Sequence, residues 1–201
     1  MNNPHKKDTM TTFDDLKALL LTDRSVRRFD ATKPIPRDTL LRLVELTRYC
    51  ASGRNAQPLR YRLVTGKAER ERIFPTLAWA GYYQDWDGPS PVERPTAYLV
   101  QCLDTELGNN CLCDDGLQLQ AITLGATTLG LGGCIIKAFN APALAKALDI
   151  PERYAPRYVL ALGVPAEKVH IVEMKDGDFK YFRNANDDQC VPKRPLSDLI
   201  I

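Results

Sequence analysis

Basic residues in three separate parts of the sequence have the chemistry of a phosphate site. They are Arg24-Ser25-x-Arg27, the pair Arg54 and Arg60, and Lys193-Arg194. Any one of these groups alone is most simply explained as solvated surface charge. In the first group, however, a hydroxyl stands between two guanidiniums, and phosphate favours bidentate arginine contacts and short hydroxyl contacts. We therefore predict a phosphate site at this first group, completed by the two cations of the tail.

The stretch 51–61, ASGRNAQPLRY, carries two side-chain amides two residues apart. Asn55 and Gln57 each offer a hydrogen-bond donor and an acceptor, which matches the edge of a heterocycle or a polyol chain. Asparagine is also common in turns, and Pro58 is a natural end for one. The residues alone therefore leave a ligand contact and a polar turn both open.

The segment 130–133, GLGG, is only a weak match to a nucleotide-binding loop. It follows a predicted helix rather than a strand, so the dinucleotide-binding fingerprint does not apply. Glycines also let a backbone approach a flat ring closely. We favour that second use for this segment.

The composition of the 201 residues is typical of a globular protein, with 44% apolar and 26% charged residues. A net charge of +2 gives no reason to expect nucleic acid as a partner. The stretch 116–136 has no formal charge, but its Gln, Thr and Gly residues make it too polar for a membrane span. We predict instead a helix buried in the core or at a subunit interface, and no membrane partner.

Cysteine usage and the first residues favour a cytoplasmic location. The start, MNNPHKKDTM, has no apolar segment typical of a signal peptide, and we expect residues 1–11 to be a disordered leader. The six cysteines are then expected to be reduced thiols. Cys111-x-Cys113 has no second close ligand pair, and the only histidines are His5 and His170, so we predict no metal site.

Hydrophobic periodicity predicts helices and strands that alternate unevenly. The predicted helices span 12–22, 35–49, 67–80, 114–129 and 141–148, and the predicted strands span 59–66, 96–104, 132–139 and 157–165. Thr12 with Asp15, and Asn140, are predicted caps, and Pro75 is expected to break or kink the third helix. Residues 79–95 are rich in aromatic residues, Gly and Pro and are predicted to form an irregular lid. We predict one α+β domain over residues 12–201 with a central sheet.

Five motifs together resemble those of the nitroreductase family of FMN-dependent oxidoreductases. In chain order they are DRSVRRFD, ASGRNAQPLRY, GLGGCIIKAF, VLALGVPAEK and VPKRPLSDLI, and the resemblance extends from about Phe13 to the C-terminus. The first two motifs together are specific, whereas the glycine segment and the tail would be weak alone. The segment AWAGYYQDWDGPSPVERP is similar to an insertion in one bacterial subgroup of that family.

The resemblance implies an obligate homodimer in which a central mixed, mainly antiparallel sheet is wrapped by helices. It also implies that FMN lies at the dimer interface in a site built from both chains, with the tail 184–201 packing on the partner or on the FMN site. The residues implied for the phosphate are Arg24, Ser25, Arg27, Lys193 and Arg194. Those implied for the flavin ring and ribityl chain are Asn55, Gln57, Ile135, Ile136, Lys137 and Ala138, the last two around flavin N5.

The activity implied is transfer of a hydride from NADH or NADPH, through flavin N5, to an electron-poor small molecule such as a nitroaromatic or a quinone, in ping-pong order. Four aromatic residues of the lid are expected to line the substrate pocket, although ordinary packing explains each equally well. They are Trp79, Tyr82, Tyr83 and Trp86. Two other functions stay open: a flavin-binding sensor or storage protein with little turnover, and a flavoenzyme acting as a dehalogenase or dehydrogenase on a specific metabolite.

Three residues depart from the family pattern. Asp23 stands where many members have a basic residue, Leu59 where many have Trp, and Ala138 where Gly is common. We therefore expect a phosphate clamp with one cation fewer and a changed backbone approach to N5.

Overall fold

The computed structural model of the chain describes residues 11–201. The predicted leader, residues 1–11, lies outside the described residues except for Thr11. The α-helices of the described part are α1 (Phe13–Thr22), α2 (Arg37–Glu45), α3 (Lys67–Ile73), α4 (Asp114–Thr128) and α5 (Ala141–Ala147). Its strands are β1 (Leu59–Val64), β2 (Ala97–Asp104), β3 (Gly132–Ile136), β4 (Tyr154–Gly163), β5 (Val169–Glu173), β6 (Phe182–Arg183) and β7 (Gln189–Lys193).

The predicted caps are confirmed at two helix starts. Thr12 and Asp15 form a reciprocal capping box on α1, and the side chain of Asn140 accepts a hydrogen bond from the backbone N–H of Ala143 at the start of α5. Each cap satisfies backbone donors that a helix start would otherwise leave free. Short polar side chains at these positions therefore fix where the two helices begin.

Two predicted elements end earlier than expected. The helix predicted over 67–80 stops at Ile73 and gives way to a short 3₁₀ turn at Phe74–Thr76, because Pro75 cannot continue the α-helical hydrogen bonding. The strand predicted over 132–139 stops at Ile136, because the chain then leaves β4 and pairs Phe139 with Leu77. The predicted break at Pro75 is therefore confirmed, whereas the strand prediction was right about the element and wrong about its end.

The central sheet has the strand order β1-β2-β4-β3, and all its pairings are antiparallel. Its two faces carry alternate residues of the same strands, as the pleat requires. On one face, Leu99 and Leu160 pack against apolar residues of α2 and α4. On the other, Val100 and Val159 pack with apolar residues of α3 and α5. The predicted α+β arrangement, a mainly antiparallel sheet wrapped by helices, is confirmed.

A second, smaller sheet was not predicted from the sequence. It has the order β5-β7-β6, with β5 parallel and β6 antiparallel to β7. The strands are two to five residues long, and β5 is largely exposed. Short strands with little buried surface give almost no hydrophobic periodicity. This sheet matters because its central strand, β7, ends at Lys193 and brings the basic tail back towards the start of the chain.

The uncharged stretch forms α4, which buries only one of its faces. The opposite face leaves Leu117 exposed. Within residues 11–201, no helix is long and apolar enough to cross a membrane.

Candidate functional site

A cavity of about 260 Å³ lies where α4, β3, β7 and the segment after α1 meet. It brings together five of the residues predicted to bind the cofactor: Arg24, Ser25, Arg27, Ile135 and Lys193. The remaining lining residues are Asp23, Gln120, Thr123, Gly133, Tyr181, Gln189 and Val191. Residues from the first and last quarters of the chain thus meet in one concave site.

The segment after α1 is held in an extended form against the edge of the sheet. Ser25 forms a parallel bridge with Gly133, and the backbone N–H of Val26 donates to the carbonyl of Gly133 at 2.9 Å. Val26 and Phe29 are buried in the core, so the segment is fixed by its apolar side chains. The close approach needs a glycine at position 132, because a Cβ there would lie 2.8 Å from the side chain of Val26.

Arg27 is the most buried cation of the cavity. It is 9% exposed, and its Nη1 is buried with no hydrogen-bond partner among residues 11–201. Its guanidinium carbon lies 4.5 Å from the ring centroid of Tyr181. A buried donor without a partner costs free energy, so this group fits a ligand that offers an acceptor.

Gln189 presents a second unpartnered polar atom to the same cavity. It is 1% exposed; its Nε2 donates to the backbone carbonyl of Ser25 at 3.4 Å, while its Oε1 is buried and accepts no hydrogen bond in the described structure. An amide oxygen in that position fits a ligand that offers a donor. The cavity therefore fits a molecule with both an anionic group and polar N–H or O–H groups.

The remaining charges make the cavity electropositive. Arg24, Arg27 and Lys193 have no carboxylate within 4.0 Å in the part of the chain that the structure describes. The one carboxylate of the lining is Asp23, which accepts hydrogen bonds from Gln120 Nε2 at 2.6 Å and Thr123 Oγ1 at 2.7 Å. Asp23 is thus engaged with α4. Arg24 donates from Nη2 to the carbonyl of Leu20 at 2.8 Å, so Arg27 and Lys193 are the cations with the most donors left for an anion.

Asn55 and Gln57 lie outside this cavity, in a strained loop before β1. Arg54, Asn55 and Gln57 all have positive φ angles, of 55°, 53° and 48°. Asp114 at the start of α4 holds the loop by accepting hydrogen bonds from Ser52 Oγ at 2.6 Å and from the Gly53 N–H at 2.9 Å. Several non-glycine residues with positive φ in one exposed loop are uncommon and often mark a functional contact.

The two amides are far from the cavity within one chain. They precede β1, which forms one edge of the sheet, whereas Gly133 and Ile135 belong to β3 at the other edge. Three inter-strand spacings separate these edges, roughly 14 Å. The two sites also lie at different heights along the strands. Leu59 is level with Ala155 of β4, through Leu103, whereas Gly133 pairs with Leu162 of β4. Seven residues along β4 separate these positions, which is about 23 Å.

Four more residues predicted for the site do not line the cavity: Ile136, Lys137, Ala138 and Arg194. Ile136 is buried in the core. The ammonium of Lys137 donates to the carbonyl of Arg157 at 3.0 Å and lies 4.5 Å from the ring centroid of Tyr158. Arg194 pairs with Asp198 at 3.8 Å.

The lid aromatics divide into two groups. Trp79 is 7% exposed in the core, and Trp86 packs against the same core. The rings of Tyr82 and Tyr83 lie 4.9 and 5.2 Å from that of Tyr181, which lines the cavity. Burial raises the pKa of Tyr83, whose hydroxyl is buried without a hydrogen-bond partner in the described chain. The two tyrosines therefore pack against Tyr181, which itself lines the cavity, and do not line it themselves.

Sequence reasoning missed Gln120, Thr123, Tyr181 and Gln189 as residues of the site. None belongs to a motif, and each reaches the cavity only through the packing of α4 or through the small second sheet. The only sequence feature that pointed to this part of the site was the basic pair Lys193-Arg194 in the tail, of which Lys193 lines the cavity.

Comparisons with known proteins agree with this fold. The chain matches the model of the nitroreductase family over residues 22–96 and 113–164. It is similar to an FMN-dependent nitroreductase from Clostridium difficile R20291, with 17% identity over 84% of this chain and 98% of that chain, and a TM-score of 0.64. A nitroreductase family protein from Streptococcus pneumoniae TIGR4 shares 17% identity over 92% of this chain and 98% of that chain, with a TM-score of 0.66. A nitroreductase family protein from Clostridium novyi NT shares 23% identity over 74% of this chain and 84% of that chain, with a TM-score of 0.61.

Proposed function

Because the chain belongs to the nitroreductase family, we propose that it binds FMN and acts as an oxidoreductase that uses NADH or NADPH to reduce an electron-poor small molecule. Nitroaromatic compounds and quinones are the acceptor classes that we propose. The observation that carries the proposal is the cavity in which Arg24, Ser25, Arg27 and Lys193 converge beside an open strand edge. When bound, FMN supplies the hydride chemistry, accepting a hydride at N5 and passing it to the acceptor.

In this proposal the cations hold the phosphate of the cofactor. Arg27 offers the buried Nη1, Ser25 an exposed hydroxyl, and Lys193 an ammonium at the cavity wall. Charge-assisted hydrogen bonds of this kind are about twice as strong as neutral ones. The orphaned Oε1 of Gln189 accepts a hydrogen bond from a polar group of the same ligand.

The edge of β3 offers a flat surface for the ring. In the described chain the outer edge of β3 pairs only at the bridge between Ser25 and Gly133. The edge backbone groups of β3 after Gly133 therefore have no strand partner within that part of the chain. Ile135 is an exposed apolar residue of that edge and lines the cavity. Backbone N–H groups of an open edge are fixed in position, which suits them to orienting a heterocycle.

The second half of the site comes from a second copy of the chain in this proposal. Asn55 and Gln57 are too far from Arg27 in one chain, so a partner supplies them, with their strained loop already shaped. An apolar surface for such a partner exists on α1, which has no buried residue and leaves Phe13 79% exposed. The apolar end of the tail, with Leu196, Leu199 and Ile200, is exposed as well. Exposed apolar side chains on a helix and at a chain end are the kind of surface that a partner subunit can cover.

Tyr82 and Tyr83 form one wall of the acceptor pocket in this proposal, because they approach the cavity through Tyr181. Trp79 and Trp86 support that wall from the core. Flat aromatic walls favour flat, electron-poor acceptors through offset stacking.

The test is a measurement of cofactor content and oligomeric state on the same sample. We expect about one FMN per chain after reconstitution and a dimer by light scattering. A monomer that binds FMN with full affinity would overturn the two-chain site, and a protein that binds no FMN would overturn the function. A dimer that binds FMN but is not reduced by NADH or NADPH would instead be a flavin-binding sensor or storage protein.

A further inference from the structure

A second cavity, of about 400 Å³, lies between α3, the end of the lid and the start of β2. It shares no lining residue with the first cavity. Four of its lining residues carry side-chain hydrogen-bond donors that could bind an anion: Lys67, Arg70, Arg94 and Tyr98. The remainder of the lining is Ala31, Glu71, Pro91 and Pro95.

Arg94 is held in place by a ring rather than by a carboxylate. Its guanidinium carbon lies 3.8 Å from the ring centroid of Phe74, and its Nε is buried with no hydrogen-bond partner in residues 11–201. Neither Arg94 nor Arg70 has a carboxylate within 4.0 Å in that part of the chain. A stacked guanidinium keeps its donors in one plane, ready for a bidentate contact.

Arg70 is oriented by the backbone. Its Nε donates to the carbonyl of Thr65 and its Nη1 to the carbonyl of Pro95, each at 3.2 Å. The single acid of the lining, Glu71, lies 3.9 Å from Lys67. Two fixed arginines therefore face the cavity, and the one acid of the lining pairs with Lys67 rather than with either arginine.

Tyr98 supplies a third donor to the cavity. The residue is 1% exposed, yet its hydroxyl makes no hydrogen bond to any residue that the structure describes. Burial raises the pKa of this phenol, against the opposing effect of Arg70 and Arg94, so the hydroxyl keeps its proton and stays a donor. Tyr98 lines the cavity and its oxygen is not among the fully buried unpartnered atoms, so the hydroxyl is reached from the cavity and can donate to a ligand there.

We propose that this second cavity is a phosphate-binding site, in which Arg70, Arg94 and the hydroxyl of Tyr98 bind the phosphate group of a small molecule. Phosphate suits these donors because its oxygens accept bidentate guanidinium contacts and a short hydroxyl contact together. A cavity of about 400 Å³ is within the range of pockets for small organic ligands, so it has room for an organic phosphate beyond the phosphate group itself.

The test is a calorimetric titration of inorganic phosphate into protein saturated with FMN, which occupies the first cavity. We expect wild-type protein to bind phosphate, and Tyr98→Phe and Arg94→Gln to weaken that binding at least tenfold. Tyr98→Phe removes only a hydroxyl without a protein partner, so its thermal unfolding should match that of the wild type. Arg72→Gln is the matched control: Arg72 lies on the same helix as Arg70, but its Nε donates to the carbonyl of Ala147, away from the cavity.

Equal phosphate affinity in wild type, Tyr98→Phe and Arg94→Gln would overturn the proposal, as would no binding to the wild type. If the protein fails to take up FMN, the outcomes stay separate. In that case phosphate is titrated into the protein without FMN. Phosphate binding that is lost in Arg27→Met but kept in Tyr98→Phe belongs to the first cavity, and that result contradicts the second site.

Discussion

The side-chain amide of Gln189 donates a hydrogen bond to the backbone carbonyl of Ser25 at 3.4 Å, although 164 positions separate the two residues. This contact joins β7 to the segment that carries Arg24 and Arg27. It explains how Lys193, at the end of β7, comes to line the same cavity. The phosphate site that we propose therefore depends on both ends of the chain.

Replacing Arg27 with methionine should weaken FMN binding about tenfold to a hundredfold, since a hydrogen bond to a charged group contributes about 1.5–3 kcal/mol. The apo protein should change in stability by only about 1 kcal/mol, because Nη1 has no protein partner and the stacking on Tyr181 is partly kept by a thioether. Fluorescence titration with FMN and thermal unfolding measure the two effects. Arg37→Met, at the exposed start of α2, is the control and should bind FMN as the wild type does.

Subunits carrying Arg27→Met and subunits carrying Gln57→Gly should complement each other in a mixed dimer. Each homodimer lacks an essential group in both sites, whereas the mixed dimer has one site with both residues intact. Glycine is chosen because position 57 has a φ of 48°, which an alanine would adopt at a cost. We expect the co-expressed, doubly tagged heterodimer to hold about half of the wild-type FMN. A heterodimer as empty as both homodimers would mean that each site is built within a single chain.

Asp104 should govern part of the stability at acid pH. Its side chain is fully buried and accepts hydrogen bonds from Arg153 Nε at 2.7 Å and Nη2 at 2.8 Å. Arg153 lowers the pKa of this carboxyl in the folded state. The stabilisation is therefore present above the unfolded pKa, about 3.9, and is lost as the pH falls through the lower, folded value.

The measurement is the free energy of unfolding between about pH 5 and pH 2 for wild type and Asp104→Asn. The variant should be less stable near neutral pH and should lose less stability on acidification. Asp85→Asn, in an exposed part of the lid, should keep the wild-type slope. Parallel curves for wild type and Asp104→Asn would contradict this assignment.

Trp79 and Tyr82 should respond differently to truncation. Trp79→Ala removes a core side chain and should cost about 3–5 kcal/mol of stability. Tyr82 is 46% exposed and contacts Tyr181 and Phe179, so Tyr82→Ala should leave stability nearly unchanged and alter the relative kcat/KM for nitroaromatic and quinone acceptors. Denaturant unfolding and steady-state kinetics with two acceptors measure these effects. Equal relative kcat/KM values in Tyr82→Ala and wild type would remove Tyr82 from the acceptor pocket.

The central sheet could be predicted because its inner strands are apolar runs buried on both faces, and its helices because apolar residues recur at helical spacing. The apolar runs of β2 and β4 and the caps at Thr12 and Asn140 are local signals that the structure confirms. The small sheet gave no such signal, since β5 is mostly exposed and β6 has two residues. Local pattern fails where tertiary contacts alone decide the pairing.

The candidate site could be predicted only in part for a related reason. Arg24, Ser25 and Arg27 are close in sequence, so their shared chemistry is visible before folding. Tyr181 and Gln189 carry no motif, and only the second sheet places them at the cavity. Lys137 was implied for the flavin ring by the family resemblance alone; in the structure its ammonium donates to the carbonyl of Arg157.

The most direct test of the proposed function is the absorbance spectrum of the purified, FMN-reconstituted protein under anaerobic conditions, recorded before and after NADH or NADPH is added. We predict a flavin spectrum that bleaches within seconds and returns when a quinone or nitroaromatic acceptor is supplied. Protein that stays yellow with both nicotinamide cofactors would contradict the oxidoreductase function. Protein that cannot be reconstituted with FMN at all would contradict the site at Arg27 itself.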